Sequence, residues 1–207
     1  MEFREILPEE LDRCIDVVVS AYDQYEFITN YFPASRKKKL LQRLFHCEFY
    51  ARADSSTTFA AVTDEGQIVG ICMICTPEQR EPSMAGYLKH GAIGCFLTGG
   101  LRNSIPWFQM NDANDAACYA VPDAWYLATM AVHADYEGQG IGSELIRSTV
   151  IPYVRSHEAK IFNLVTNSPR NTVFYERLGF KCFHHREFEF RGKTLGAWSY
   201  EMRFREK

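Results

Sequence analysis

The stretch YEGQGIGSEL, residues 136–145, follows the apolar run WYLATMAVH at 125–133 and opens a segment with helical spacing. It places Gly138, Gly140 and Gly142 where a strand ends and a helix begins. Glycine is unfavourable inside regular structure, so the cluster indicates a backbone that bends sharply or lets another group come close. Two interpretations follow, a tight turn without a ligand or a loop whose N–H groups hold a phosphate at a helix start.

Two familiar phosphate loops are excluded by the neighbouring residues. The Walker pattern requires Lys and then Ser or Thr after its last glycine, whereas Ser143 and Glu144 follow here. The dinucleotide fingerprint requires G-x-G-x-x-G, and the spacing of these glycines does not fit it. Taken alone, the turn therefore leaves both interpretations open.

The remaining pattern predicts one 207-residue domain of mixed α/β type around a central sheet. Predicted helices cover residues 8–22, 35–52, 141–157 and 169–178, with Ala34 and Ser35 as candidate caps of the second. Predicted strands cover residues 57–63, 67–76, 125–133, 159–166, 181–190 and 194–204. The link at 23–33 is aromatic and predicted irregular, and residues 77–123 are predicted to form a helical insertion.

The composition narrows the class of protein. The chain is 46% apolar and 24% charged, with a net charge of −3, so it gives no support to a nucleic-acid or anionic-membrane partner. No apolar run reaches the roughly 18 residues that a membrane helix needs. The N-terminus is charged from its second residue, so we expect neither a signal peptide nor a location other than the cytoplasm.

The seven cysteines are an odd number, scattered through apolar segments. Cys72 and Cys75 form a C-x-x-C, but both fall in a predicted strand. Residues three apart on a strand point to opposite faces, so these two would make a poor metal or redox pair. We therefore expect buried free thiols, no metal, and a reducing cytosol.

A second motif changes the interpretation of the glycines. Residues 137–142 match the pyrophosphate motif Arg/Gln-x-x-Gly-x-Gly/Ala of the GCN5-related N-acetyltransferase (GNAT) family, and NSPRNTVFYERLGF at 167–180 is similar to that family's Asn-containing loop and FYE-x-LGF helix. The chain resembles this family, with WSYEM at 198–202 giving a likeness to its puromycin N-acetyltransferase-like branch. The resemblance implies a mixed, mostly antiparallel central sheet flanked by helices, with the helical insertion before the fourth strand.

The resemblance also implies acetyl-CoA as cofactor and a direct transfer of its acetyl group to the primary amine of a small molecule. The pantetheine arm would pair with the end of the fourth strand, and the backbone N–H of Val132 would polarise the carbonyl. Tyr175 matches the family tyrosine that donates a proton to the leaving thiolate. The implied cofactor contacts are Met130, Ala131, Val132, Glu137, Gly138, Gln139, Gly140, Ile141, Gly142, Ser143, Asn167, Asn171 and Tyr175.

Two positions depart from the family pattern. Glu137 stands where Arg or Gln is preferred, and we expect its carboxylate to point to solvent, where charge is screened. The fourth strand lacks the carboxylate that many members use as a base, and Asp123 only precedes it. Tyr126 or Thr129 could hold a water, and His133 is a weak candidate because it lies at the start of the turn. The base therefore stays open between an ordered water and an amine that arrives neutral.

The acceptor pocket is predicted from aromatic residues in the link, the insertion and the last hairpin. Tyr25, Phe27, Tyr31, Trp107 and Trp198 are the predicted substrate contacts, among an aromatic set that includes Tyr22, Phe32, Phe108 and Tyr200. The rival functions are a CoA-binding sensor without catalysis and an acyltransferase for another chain or acceptor. A monomer and a homodimer are both compatible with the sequence.

Overall fold

A seven-stranded sheet organises the computed structural model, which describes residues 1–80 and 84–204; residues 81–83 of the predicted insertion lie outside the described residues. The strands are β1 (Glu2–Glu5), β2 (Thr57–Val62), β3 (Ile68–Cys75), β4 (Ala124–Val132), β5 (Ile161–Thr166), β6 (Lys181–Phe190) and β7 (Lys193–Arg203). Their order is β1-β2-β3-β4-β5-β7-β6. The β4–β5 pair is parallel, and the other described pairs are antiparallel.

Helices cover both faces of this sheet. They are α1 (Leu11–Tyr22), α2 (Glu26–Thr29), α3 (Ala34–Arg52), α4 (Met84–Lys89), α5 (Ala92–Gly99), α6 (Leu101–Tyr119), α7 (residues 141–156) and α8 (Pro169–Arg177). In α7 a π-helical segment, Leu145–Val150, separates two α-helical parts. Pro152 follows this segment and has no N–H to donate to the turn before it, which is a common setting for such a change in winding.

The core forms two layers on opposite sides of the sheet. One contains the inner faces of α1 and α3, with Val18, Leu41 and Phe49 fully buried. The other lies beneath α7 and α8, with Leu145 and Phe162 fully buried. β3 runs through the centre and is buried at all eight positions, as its continuous apolar sequence requires.

The fold class and the helical insertion are as predicted, and four local expectations need correction. β1 was missed because its sequence, EFRE, is short and three of its four residues are charged. The predicted irregular link contains the short helix α2. Pro33, with extended backbone, precedes α3, so neither Ala34 nor Ser35 caps that helix. The described cysteines are all free, but Cys182 on the edge strand β6 is exposed rather than buried.

Candidate active site

The site begins where β4 and β5 separate. The two parallel strands pair at only three positions, the last being Tyr126 with Asn163. β4 continues to Val132 and β5 to Thr166, without a further described pair between them. The register of β4 against β3 also shifts around Ala128, which is a β-bulge. The result is a wedge-shaped gap that opens towards the carboxyl ends of both strands.

One edge of this gap carries unpaired backbone groups. The N–H of His133 donates to the carbonyl of Val69 on β3 at 2.8 Å. Because alternate residues of an antiparallel strand bond to the same neighbour, the N–H groups of Val132 and Met130 face away from β3, towards the gap. An extended ligand arm could therefore add to β4 as a strand would.

The glycine turn closes the wide end of the gap. Gly138 and Gly140 have φ angles of +77° and +80°, in the left-handed region that favours glycine. Gly142 packs closely against β4. A Cβ there would lie 2.5 Å from Met130 Cε and 3.3 Å from Val132 Cγ2, so a side chain at Gly142 would displace the end of the Met130 side chain.

Free amides follow this turn. Glu144 is the first residue of α7 whose N–H bonds back within the helix, to Gly140 at 3.0 Å. The amides of Ile141, Gly142 and Ser143 precede it and have no intrahelical partner. A backbone shaped by glycines, with free amides at the start of a 16-residue helix, fits a pyrophosphate group. The turn is also anchored to α1, since the N–H of Ala134 donates to Ser20 Oγ at 3.2 Å.

Glu137 lies at the surface and has a cationic partner. Its carboxylate is 3.3 Å from Arg170 Nη1, and the two side chains are 43% and 78% exposed. Arg170 is in the first turn of α8, so the pair links the glycine turn to the helix that follows β5. The partner reduces the negative charge that Glu137 brings to the turn.

Tyr175, on α8, is 6% exposed and belongs to the core layer beneath α7 and α8. Its ring contacts Phe180 at a centroid distance of 5.9 Å and Tyr200 at 6.1 Å. Burial raises the pKa of Tyr175 well above its ordinary value, and Tyr22, Cys72 and Tyr25 raise it further. The phenol is therefore protonated at neutral pH and can donate a proton but cannot serve as a base.

The two predicted asparagines bond to protein groups. Asn167 is 8% exposed. Its side-chain Oδ1 accepts a hydrogen bond from Asn114 Nδ2 at 3.4 Å, and its Nδ2 donates to the Gly196 carbonyl at 3.0 Å. Its backbone N–H donates to the Tyr25 hydroxyl at 3.0 Å. It thereby joins α6, β7 and the residue before α2. Asn171 donates to Thr166 Oγ1 at the end of β5 at 3.2 Å.

The five predicted substrate contacts are not brought together as one surface. Phe27, Tyr31 and Trp107 are 3–8% exposed and pack in the core. Trp107 Nε1 donates to the Phe27 carbonyl, and Tyr31 stacks on Phe190 with ring centroids 4.0 Å apart. Trp198 is half-buried and stacks on His185, with ring centroids 4.9 Å apart. Only Tyr25 bonds to the loop that follows β5.

His133, the weak candidate for a base, serves the turn instead. Its Nδ1 accepts from the backbone N–H of Asp135 at 3.3 Å, which caps the short 3-10 turn at Ala134–Tyr136. This position agrees with the expectation that it lies at the entry to the phosphate turn rather than beside the reacting atoms.

Sequence reasoning missed one carboxyl group. Asp115, on α6, accepts a hydrogen bond from the hydroxyl of Tyr126 at 2.8 Å, and Tyr126 is the last β4 residue paired with β5. Burial raises the pKa of Asp115 to about 7, with Glu48 and Asp112 adding to the rise and Tyr126 and Arg52 opposing it. The signal in the sequence was the polar run NDANDA at residues 111–116, but only the packing of α6 brings Asp115 to the vertex of the gap.

The side-chain amide of Asn114, the residue before Asp115, has an oxygen that is unpaired within the described part of the chain. Asn114 Oδ1 is buried and has no hydrogen-bond partner among the described residues. Buried polar atoms are seldom unpaired, so the carbonyl of this side chain is available to a ligand or a water. The described residues contain no group of three or more His, Cys, Asp or Glu that could hold a metal ion.

The comparisons with known proteins agree with this geometry. Residues 107–182, less than half of the chain, match a family model described as an acetyltransferase (GNAT) domain. The matched segment runs from α6 through the glycine turn and Tyr175 to the start of β6. It therefore includes both sides of the gap.

Solved structures match nearly the whole chain at low identity. The polyamine N-acetyltransferase of Drosophila melanogaster, which forms N-acetylagmatine, has a TM-score of 0.63 at 16% identity, with 98% of this chain and 99% of that chain covered. A Corynebacterium glutamicum protein described as histone acetyltransferase HPA2 and related acetyltransferase gives 0.61 at 20% identity, covering 95% and 93%. The ribosomal-protein-S18-alanine N-acetyltransferase of Escherichia coli gives 0.58 at 14% identity, covering 98% and 92%.

The class of protein follows from the fold and the matched segment together. The seven-stranded, mostly antiparallel sheet flanked by helices is the GNAT fold. The domain match supports an acetyltransferase enzyme. Among the described residues, no helix is long and apolar enough to span a membrane.

Proposed function

We propose that this chain is an acetyl-CoA-dependent N-acetyltransferase that transfers the acetyl group directly to the primary amine of a small molecule. The observation that carries the proposal is the gap between β4 and β5, with free strand amides on one edge and the glycine turn at its wide end. Acetyl-CoA, when bound, supplies a thioester whose carbonyl carbon is open to attack by an amine.

The chain's own groups have separate tasks in this mechanism. The amides of Ile141, Gly142 and Ser143 would hold the pyrophosphate, and those of Met130 and Val132 would pair with the pantetheine arm. The Val132 N–H would also stabilise negative charge on the carbonyl oxygen as the C–N bond forms. Gly138, Gln139, Gly140, Ala131 and Asn171 would shape the same surface.

Proton transfer completes the reaction. When the C–S bond breaks, the thiolate of CoA needs a proton, and we propose Tyr175, whose raised pKa keeps its phenol protonated, as the donor. The amine must lose a proton, and we propose that Asp115, through Tyr126 or an intervening water, receives it. A carboxyl with a pKa of about 7 is substantially ionised at neutral pH and is basic enough for this task.

The acceptor itself is proposed from the polar groups at the carboxyl end of β5. Tyr25, Asn114 and Asn167 form a bonded set across three elements, and the unpaired oxygen of Asn114 could accept from an ammonium or amine N–H. This set favours an amine that carries a second polar group over a purely aromatic one. The likeness to the puromycin N-acetyltransferase-like branch stays a prediction, as does the cytoplasmic location.

A thiol-release assay tests the proposal. Purified protein with acetyl-CoA is mixed with agmatine, polyamines, aminonucleosides and aminoglycosides, and free CoA is measured together with the mass of the product. We expect release of CoA that depends on one class of amine, with a mass gain of one acetyl group on that amine. Stabilisation by acetyl-CoA without turnover on any amine would favour the sensor, and neither effect would refute the assignment.

A further inference from the structure

The helical insertion exposes an apolar surface. Ten large apolar side chains are exposed among the described residues, and six of them lie between residues 84 and 105. They are Met84 (70% exposed) and Leu88 (52%) on α4, Ile93 (61%) and Leu97 (68%) on α5, and Leu101 (58%) and Ile105 (47%) on α6. The members of each pair are one helical turn apart and therefore share a side of their helix. We call these six side chains the outer face of the insertion.

The packing shows why these side chains are outside. α5 lies against α3 through Cys95 and Gly99, which are buried, so Ile93 and Leu97 point elsewhere. The position of α5 is fixed, because Arg43 on α3 donates to the Gly94 carbonyl at 3.1 Å and to Thr98 Oγ1 at 2.5 Å. Ile93 and Leu97 are each more than 60% exposed on this fixed helix, and contiguous exposed apolar side chains of this kind mark interaction sites.

The surroundings of the outer face are basic. Residues 84–111 contain Lys89 and Arg102 but no Asp or Glu. An open groove of about 560 Å³ lies beside α5 and is lined by Lys39, Arg43, His46 and His90, with no carboxylate in its lining. The whole chain has a net charge of −3, so this positive charge is a local feature.

The charge distribution decides between partners. A second copy of this chain docked through the same face would bring two basic rims together, which is unfavourable. An uncharged bilayer would leave the basic groove without a counterpart. An anionic bilayer surface satisfies both features, because apolar side chains can enter the boundary between headgroups and acyl chains while lysine and arginine meet lipid phosphates.

We propose that the outer face of the insertion and the adjacent basic groove dock on the surface of an anionic lipid bilayer. Ile93 and Leu97 enter the headgroup–acyl boundary, and Lys39 and Lys89 lie among the phosphates. Our expectation of no membrane partner used the net charge of the chain, whereas this proposal rests on where the charges lie. It is independent of the acetyl-transfer chemistry, since none of these residues lines the gap between β4 and β5.

Vesicle sedimentation tests the proposal with the full chain. We expect sedimentation with phosphatidylcholine vesicles that contain about 30% phosphatidylserine, weak sedimentation with phosphatidylcholine alone, and loss of binding in about 0.5 M NaCl. Ile93→Ser with Leu97→Ser should lower the partition coefficient at least about tenfold. Lys39→Gln with Lys89→Gln should lower it about 25-fold, since each basic residue contributes roughly fivefold.

Controls distinguish binding through this surface from nonspecific adsorption to vesicles and from loss of binding caused by misfolding. Leu7→Ser removes a side chain that is 51% exposed elsewhere and should leave the partition coefficient unchanged. Circular dichroism and Tm should show that each variant is folded, and acetyl transfer by each should equal that of the parent chain.

Several results would overturn the proposal. Equal sedimentation with both vesicle types, or none with either, would do so. Release of the protein by millimolar inorganic phosphate would identify a free-phosphate site instead. A dimer in sedimentation equilibrium that dissociates on Ile93→Ser with Leu97→Ser would assign the face to a second copy.

Discussion

The two ends of the gap between β4 and β5 are built in different ways. The glycine turn at the wide end is one continuous segment, residues 133–143, and it presents backbone groups. The vertex is assembled from side chains of distant segments, Asp115 on α6 and Tyr126 on β4. Backbone amides suit a phosphate whatever the acceptor, whereas the side chains at the vertex can change without disturbing the turn. We infer that the wide end fixes the cofactor and the vertex fixes the amine.

The largest expected effect separates chemistry from binding. Tyr175→Phe removes the proposed proton donor but keeps the ring in its packing, so we expect kcat to fall about 10²- to 10³-fold. The Kd for acetyl-CoA should stay within about twofold, because the glycine turn is untouched. Stopped-flow thiol release and titration calorimetry measure the two quantities. Tyr153→Phe, in α7 and bonded to Thr57, is the matched control and should leave kcat unchanged.

The second prediction concerns the vertex. Asp115→Asn removes the proposed proton acceptor, and we expect kcat at pH 7 to fall about ten- to a hundredfold. The rise of kcat with pH through about 7 should disappear from the pH–rate profile. Asp16→Asn, on the exposed side of α1, is the control. A retained acidic limb in the Asp115→Asn profile would exclude this carboxyl as the acceptor.

The same carboxyl makes folding stability depend on pH. Its pKa is raised on folding, so the folded chain binds a proton that the unfolded chain releases between about pH 4 and 7. The contribution of Asp115 therefore lowers the free energy of unfolding as pH rises through that window, by up to about 1.4 kcal/mol per pH unit. Asp115→Asn should remove this slope in urea unfolding curves, whereas Asp16→Asn should retain it.

The third prediction compares the glycines of the turn. Gly140→Ala forces a side chain into a φ of +80°, at a cost of about 1–2 kcal/mol, and Gly142→Ala places a Cβ against Met130. Both should weaken acetyl-CoA binding about tenfold in calorimetry. Gly66→Ala has the same backbone strain, with φ +79°, in the β2–β3 hairpin. It should lower Tm without changing the Kd, and an equal loss of affinity would show that the turn has no special role.

The smallest effect concerns the charges beside the turn. Arg170→Ala leaves the Glu137 carboxylate uncompensated, so we expect a two- to threefold weaker affinity for acetyl-CoA, roughly as large as an exposed pair allows. Glu137→Gln should bind at least as well as the parent chain. Both differences should vanish at high salt. Stronger binding by Arg170→Ala would mean that Glu137 has no electrostatic contact with the cofactor.

The same comparison explains what the sequence could predict. The turn, α8 and Tyr175 are local motifs, so spacing and resemblance identified them. The sequence did not predict the role of Asp115 at the vertex. Asp115 contacts Tyr126, 11 residues later in the chain, only because α6 packs beside β4. Phe27, Tyr31 and Trp107 were predicted to contact substrate because aromatic composition does not distinguish a pocket wall from a core. The short edge strand β1 carried too little apolar pattern to be found.

Calorimetric titration of the purified chain with acetyl-CoA, with Gly142→Ala beside it, tests the central claim most directly. We predict saturable binding of one molecule per chain by the parent protein and about tenfold weaker binding by the variant. No heat of binding by the parent chain, or equal affinity in both proteins, would contradict the assignment of the gap and its glycine turn to acetyl-CoA.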